Sequence, residues 1–314
     1  MPKILVSGSV AYDHLIRVDQ KYSDIIMPDQ LENLSAWFLA HDVVLENGGT
    51  AHNIAYNLGL LWLKNDTVML ATIGDDYRIA THLEPYVSYD YLHTKANLRT
   101  PTAYIMTDTH GKQITVFYPG ALAHAAEQEV KNMGAWDRVI IAPNQKEAMV
   151  KHAQEAHAAG ATVLFDPGQM LVAFSDTDIA AMAKYSNVIL LNEYEYELVK
   201  KMTNWSDAEF VQVFDKIIIT KWKEGVVCRD KTQDLHVHGC LVANAVDPTG
   251  AGDALRSGLV AGLARTADWT TALRLGNVMG SFAVEQLGTM HHTPSIQDIQ
   301  DRFEKTYGIS INLV

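Results

Sequence analysis

Two glycines stand directly before a carboxylate in Asp247-Pro248-Thr249-Gly250-Ala251-Gly252-Asp253-Ala254, and the residues that follow, 255–263, have helical character. Gly250 and Gly252 let a ligand approach the backbone closely, and the first amides of the helix behind them have no intrahelical partner. Such amides, at the positive end of a helix dipole, suit phosphate oxygens and the charge that develops during phosphoryl transfer. Gly250, Ala251 and Gly252 are therefore a candidate anion hole. Asp253 has two readings: a first-turn acid favoured by the dipole, or a general base that takes a proton from an attacking hydroxyl beside the anion. The phosphate loop is not of the Walker type, because G-x-x-x-x-G-K-[ST] does not occur.

A second glycine pair opens Gly48-Gly49-Thr50-Ala51-His52-Asn53-Ile54-Ala55. Its amides are approachable by hydroxyl groups, and Asn53 in a first helical turn offers both a donor and an acceptor. The plainer alternative is a glycine loop with Thr50 as N-cap. Asp13 closes Ser7-Gly8-Ser9-Val10-Ala11-Tyr12-Asp13, which places a carboxylate outside the carboxyl end of the first strand, where open α/β sheets bind ligands. A turn-forming Asp is the alternative there.

These residues need a scaffold. Short apolar runs at residues 3–7, 68–73, 138–142, 162–166, 188–191 and 216–220 suit strands buried on both faces of a parallel sheet. Helical patterns at 51–63, 145–159 and 192–202 alternate with them, which predicts a doubly wound, mainly parallel three-layer α/β sandwich. Two stretches break the rhythm. Residues 12–47 are too long for a βα connection, and residues 98–117 read as a hairpin, 102–107 and 113–117, turning at Asp108-Thr109-His110-Gly111. Together they predict a small β lid on a single domain spanning residues 1–314.

Composition narrows the function. The 314 residues are 48% hydrophobic, enough to bury a full core. With 37 acidic against 25 basic residues, nonspecific binding to nucleic acid or to an anionic membrane is not expected. Cys228 and Cys240 form no C-x-x-C, residues 1–10 lack the apolar core of a signal peptide, and no run approaches a bilayer span. A cytoplasmic enzyme with reduced thiols is expected. His236-x-His238 and His291-His292 come without a convincing third ligand and are not read as metal sites.

The motif at 247–254 resembles the signature of PfkB-type (ribokinase-like) carbohydrate and nucleoside kinases, D-T-x-G-A-G-D, with Pro248 and Leu255 as departures. Gly48-Gly49 and Asn53 resemble the family's N-terminal signature, Asn192-Glu193-Tyr194-Glu195 its N-x-x-E motif, and Thr220 with Gly225 its T-x-G-x-x-G nucleotide loop, where Trp222 replaces the first glycine. The resemblance implies ATP-dependent phosphorylation of a primary hydroxyl, with Asp253 as base and Asp13 bound to a vicinal diol. It further implies Asn192, Thr220, Lys221, Gly225 and Asn277 around ATP, and Glu195 ordering water on Mg²⁺. A monovalent cation such as K⁺ near Asp247 and Thr249 belongs to the same pattern. Residues 27–30, Trp37-Phe38 and 113–121 resemble bacterial adenosine-kinase-like members, so the expected acceptor is a nucleoside, adenosine first. Phe117, with Trp37 or Phe38, is the candidate surface for the base, or else part of the lid's own core. A sugar kinase for ribose or another monosaccharide, and a noncatalytic nucleotide or sugar sensor on the same fold, are the alternatives. The expected partners are small molecules, and the chain is expected to be a monomer or homodimer.

Overall fold

The computed structural model describes residues 3–266 and 268–313. In chain order the elements are β1 (Ile4–Ser7), β2 (Ala11–Val18), the single turn α1 (Tyr22–Ile25), β3 (Ala40–Gly48), α2 (Thr50–Leu60), β4 (Thr67–Gly74), β5 (Leu92–Lys95), β6 (Thr102–Thr107) and β7 (Gln113–Tyr118). There follow β8 (Arg138–Ile141), α3 (Lys146–Ala158), β9 (Thr162–Phe165), α4 (Asp176–Tyr185), β10 (Val188–Asn192), α5 (Glu193–Thr203), α6 (Asp207–Val213) and β11 (Lys216–Thr220). The chain then continues through β12 (Val226–Arg229), β13 (Asp234–Val237), α7 (Ala251–Arg265), α8 (Trp269–Ala283) and α9 (Ile296–Tyr307).

Nine strands form the main sheet, in the order β13-β12-β11-β10-β9-β8-β1-β4-β5. All neighbours are parallel except at the β11–β12–β13 edge, which is an antiparallel meander. The apolar runs work because each strand feeds two cores. Ile4, Val6, Ile140, Leu190 and Ile218 face α2, α7, α8 and α9, whereas Leu5, Val139, Ile141, Ile189, Leu191, Ile217 and Ile219 face α3 to α6. Such strands cannot alternate polar and apolar residues, so their runs are continuous. After β4 and β5 on one side of β1, the chain returns to β8 on the other. That reversal makes the β1/β8 carboxyl ends a topological switch point.

A separate four-stranded sheet, β3-β2-β6-β7, is built from the two irregular stretches. Asp13 therefore does not end the first strand. It sits inside β2, because the chain turns out of the main sheet over Gly8–Val10 and starts a new strand at Ala11. The hairpin turn does fall at Asp108–Gly111, with Gly111 at φ +73° and the Asp108 carboxylate accepting from the His110, Lys112 and Tyr22 amides.

Helix α2 is buried at every position after Thr50 and packs hard against the chain at Tyr86. A Cβ on Gly59 would lie 2.0 Å from the Tyr86 carbonyl oxygen, a backbone atom that cannot rotate away. Gly59→Ala gains about 1 kcal/mol of helix propensity but forces α2 and the Tyr86 segment apart. We expect a net loss of about 3 kcal/mol, read as a lower urea midpoint; an unchanged or higher midpoint contradicts this packing.

Candidate active site

Two helix N-termini converge over the carboxyl ends of the central strands. Gly250, the N-cap of α7, takes φ +76°, and Gly49, the N-cap of α2, takes φ +98°. Thr50 is thus the first helical residue rather than the cap, and its hydroxyl lies 3.2 Å from that of Ser9. Ser257 on α7 donates to the Ile54 carbonyl on α2, at 3.0 Å, and fixes the two first turns side by side. Across this junction Asn53 Nδ2 donates to Asp253 Oδ2 at 2.8 Å. The Asn53 Oδ1 is left buried with no protein partner, an acceptor for which a ligand hydroxyl would be the complement.

Asp253 is the third residue of α7 and is half-buried. Desolvation pushes its carboxyl up to about 7, the Asp166 and Asp13 carboxylates adding to the rise while Arg256 and Asn53 oppose it. Asp13 faces the same space from β2 and is pushed up to about 6, mainly by burial and then by Glu46. Its carboxylate lies directly over the backbone of Gly48, where a Cβ would meet Asp13 Oδ2 at 2.2 Å. Any side chain at Gly48 therefore displaces the acid.

Not all three residues of the glycine loop present amides outward. The Ala251 amide donates to the Pro248 carbonyl at 3.2 Å, so Ala251 is not available as an anion donor, contrary to the sequence reading. Among the described residues, the Gly250 and Gly252 amides have no protein acceptor. The loop ahead of them is stapled by Asp247. One carboxylate oxygen accepts from the Thr249 amide (2.9 Å) and hydroxyl (2.7 Å), the other from the Gly288 amide (2.9 Å). Asp247 and Thr249 side chains are thus spent on the loop, and a cation held there would rely on backbone carbonyls.

On the far side of the sheet edge, Asn192 and Glu195 form a capping box that opens α5: Asn192 Oδ1 accepts from the Glu195 amide at 2.8 Å, and Glu195 Oε2 from the Asn192 amide at 2.9 Å. Glu195 is not a surface residue; burial and the nearby Asp166 raise its carboxyl. Thr220 ends β11, and residues 222–224 form a single 3₁₀ turn into β12. Trp222 adopts φ +50° in place of the expected glycine, with its ring 76% exposed, so the loop keeps a left-handed residue at a cost in strain. Gly225 follows at φ +102°. Lys221 is paired with Glu193 at 3.0 Å. Asn277 is buried and donates to the His238 carbonyl (3.0 Å), the Val237 carbonyl (3.4 Å) and Tyr307 Oη (3.3 Å), which makes its side chain a tie between α8 and the end of β13.

Sheet register joins Phe117 to this site. Glu46, Asp13, Ala103 and Phe117 form one cross-strand row through β3, β2, β6 and β7, so their side chains share a face. Phe117 stands two strands from Asp13, about 10 Å at the usual strand spacing, and is 45% exposed. Trp37 and Phe38 do not join it: Trp37 is 74% exposed, and Phe38 packs edge-on against Tyr22 at 5.3 Å.

One pair escaped the sequence reading. Arg256, one turn after Asp253 on the otherwise apolar face of α7, makes a two-pronged ion pair with Asp166 at the end of β9, with Nη2 at 2.6 Å from Oδ1. A single arginine inside the buried run 254–263 was its signal, because a charge in such a place requires a buried counter-charge. His291 pairs with Glu46 at 3.2 Å, and among the described residues no group of three His, Cys, Asp or Glu is placed to hold a metal.

The raised carboxyl of Asp253 has a stability signature. With an unfolded value near 3.9, its contribution is fully present below about pH 4 and is lost as the pH rises through about 7, because only the unfolded chain ionises freely. Asp253→Asn never ionises. Its thermal midpoint is expected to exceed that of the parent by several degrees at pH 8, with the gap closing towards pH 4. A gap that widens on acidification contradicts the burial of this group.

Known proteins resemble this chain over nearly its whole length. The model of the pfkB family carbohydrate kinases matches residues 1–296. A nucleoside kinase from Burkholderia thailandensis, solved with inosine, is 31% identical, covers 98% of this chain and 99% of its own, and superposes with a TM-score of 0.88; its ligand-free form gives 0.81. A nucleoside kinase from Methanocaldococcus jannaschii is 27% identical over 97% of this chain and 98% of its own length, and a ribokinase from Staphylococcus aureus 25% identical over 95% and 98%. The chain belongs to the pfkB family of carbohydrate kinases, and is a phosphotransferase that acts on an alcohol group of a nucleoside or sugar with ATP as donor.

Proposed function

We propose that this kinase phosphorylates the 5′-hydroxyl of a purine nucleoside, with adenosine the acceptor expected from the sequence and inosine the one bound by the B. thailandensis relative. The observation that carries the reading is the cross-strand row. Asp13, which suits a vicinal diol, and Phe117, which suits a flat base, share one sheet face at about the distance that separates a ribose from the far side of its base. A free monosaccharide leaves Phe117 without a partner. Stacking on such a ring is worth about 1–3 kcal/mol by analogy with bases on aromatic side chains.

In this reading Asp13 and the unpartnered Asn53 Oδ1 share the hydrogen bonds donated by the 2′- and 3′-hydroxyls. Asp253 receives the 5′-hydroxyl proton as the oxygen forms its bond to the γ-phosphorus, while the bond from that phosphorus to the bridging oxygen breaks and ADP leaves. The Gly250 and Gly252 amides hold the transferring oxygens. Residues present fit a hydrated divalent ion: Glu195 offers a half-buried carboxylate with one oxygen committed to its own helix cap. Mg²⁺ there would supply charge against the triphosphate, Glu195 holding one of its waters. A K⁺ ion near Asp247 and Thr249 would be held by carbonyls.

The second sheet would act as a lid. This chain is more similar to the inosine-bound than to the ligand-free form of the same relative, which supports a closed arrangement here and an open one when the site is empty.

Acceptor preference and the pH dependence of turnover test the proposal. At equal concentrations, adenosine or inosine should outcompete ribose, and Phe117→Ala should raise the nucleoside KM about tenfold or more with kcat and stability nearly unchanged. Preference for ribose or a hexose refutes the nucleoside reading. For the base, kcat/KM should fall about tenfold per pH unit below the free-enzyme value near 7, since protonated Asp253 cannot accept a proton. Asp253→Asn should lower kcat by about 10²–10⁴ and abolish that acidic limb. A variant within a few-fold of wild type removes Asp253 from the mechanism.

A further inference from the structure

Arg256 has no role in the mechanism above, yet among the described residues it is the one cation beside the paired helix ends. Its side chain is 10% exposed and runs back along α7 towards the N-terminus, as long helical side chains do. Asp166, 2% exposed, holds one edge of the guanidinium through Nε and Nη2. The remaining nitrogen, Nη1, donates to no protein acceptor among the described residues. It lies 2.6 Å from where a Cβ on Gly252 would stand. Because every helical Cα–Cβ bond tilts towards the N-terminus, a group at that spot is on the N-terminal side of the first turn, the side on which the free Gly250 and Gly252 amides open.

We propose that Arg256 Nη1 is a third donor to the transferring phosphoryl group, held in place by Asp166 and acting beside the Gly250 and Gly252 amides. This rests on reading the α7 N-terminus as the phosphoryl site. The chemistry favours it: a guanidinium carries a full charge and a fixed donor fork, and its benefit is largest where charge develops in a water-poor site. The Nη2–Oδ1 hydrogen bond and the Nε–Oδ2 ion pair with Asp166 set the direction of the third nitrogen. Glu195 and Asp253 flank the same guanidinium and are attracted to it, so Arg256 also limits the repulsion between these acids and an incoming triphosphate.

Arg256→Lys keeps the charge against Asp166 but lacks the fork. Asp166→Asn/Arg256→Met removes the pair together, so no lone charge is left buried. Both variants are expected to lower kcat by about 10²-fold, with the KM for acceptor and for ATP within about threefold of wild type. The separating readout is binding of ADP with aluminium fluoride, a mimic of the transferring group, in the presence of acceptor. It should weaken about as much as kcat falls, while the affinity for ADP alone stays unchanged. A merely structural role would weaken both ligands alike or neither. Retention of kcat within threefold by either folded variant, or equal losses for ADP and its aluminium fluoride complex, overturns the proposal. Each variant is compared with wild type using the acceptor that wild type prefers, so a preference for ribose overturns the nucleoside reading without touching this ratio.

Discussion

The site depends on seating one helix end. Helix α7 brings Gly250, Gly252 and Asp253 to the carboxyl edge of the central strands only if its first turn stays where β9 and β10 end. The Arg256–Asp166 pair fixes that position from beneath, and the Ser257–Ile54 and Asn53–Asp253 hydrogen bonds fix it from the side. Placing an ion pair here is expensive, because both partners leave water, and loss of one partner from such a pair costs about 3–5 kcal/mol. The return is a defined geometry at a place where apolar packing alone supplies no direction. Burial holds Asp13, Asp166, Glu195 and Asp253 above their ordinary range, desolvation being the leading cause in each.

Much of this was legible in the residues themselves. The parallel strands announced themselves because burial on both faces demands unbroken apolar runs, and β11 falls at Lys216–Thr220 as expected. Edge strands were not legible: β5 (Leu-His-Thr-Lys) and β13 (Asp-Leu-His-Val) are short and carry polar residues on their solvent side. Asp13 was identified but misplaced, because nothing in Gly8-Ser9-Val10 signals that the chain leaves one sheet and enters another. The engagement of the Ala251 amide depends on how Pro248 folds back, which no spacing rule reports. Asp166 and Arg256 are 90 residues apart, and only the fold shows that they meet.

Tethers between the two sheets explain how acceptor groups on one can be registered against the other. The Tyr12 hydroxyl, on β2, accepts from the Arg78 amide at 2.5 Å and donates to the Asp76 carbonyl at 3.2 Å. Asn47, on β3, takes the Ala80 amide at 2.8 Å and donates to the Arg78 carbonyl at 3.0 Å. Both tyrosine and asparagine lie at the core-facing ends of their strands. The loop after β4 therefore grips the second sheet along a single line close to the site, while among the described residues the distal ends of β2, β3, β6 and β7 carry no such bonds to the main sheet.

That line of attachment separates two kinds of sequence freedom. The Gly250–Gly252 turn and Asp253 belong to a helix locked into the main core, where a substitution disturbs packing on several sides. The row that runs from Glu46 to Phe117 belongs to a sheet whose outer strands β3 and β7 are largely exposed, and its far loops, residues 19–39 and 108–112, can lengthen or shorten without moving the row's anchored end. On the proposed reading, acceptor recognition and transfer chemistry are thereby carried by separate sheets, so a lineage can explore new acceptors one strand at a time without first dismantling its catalyst.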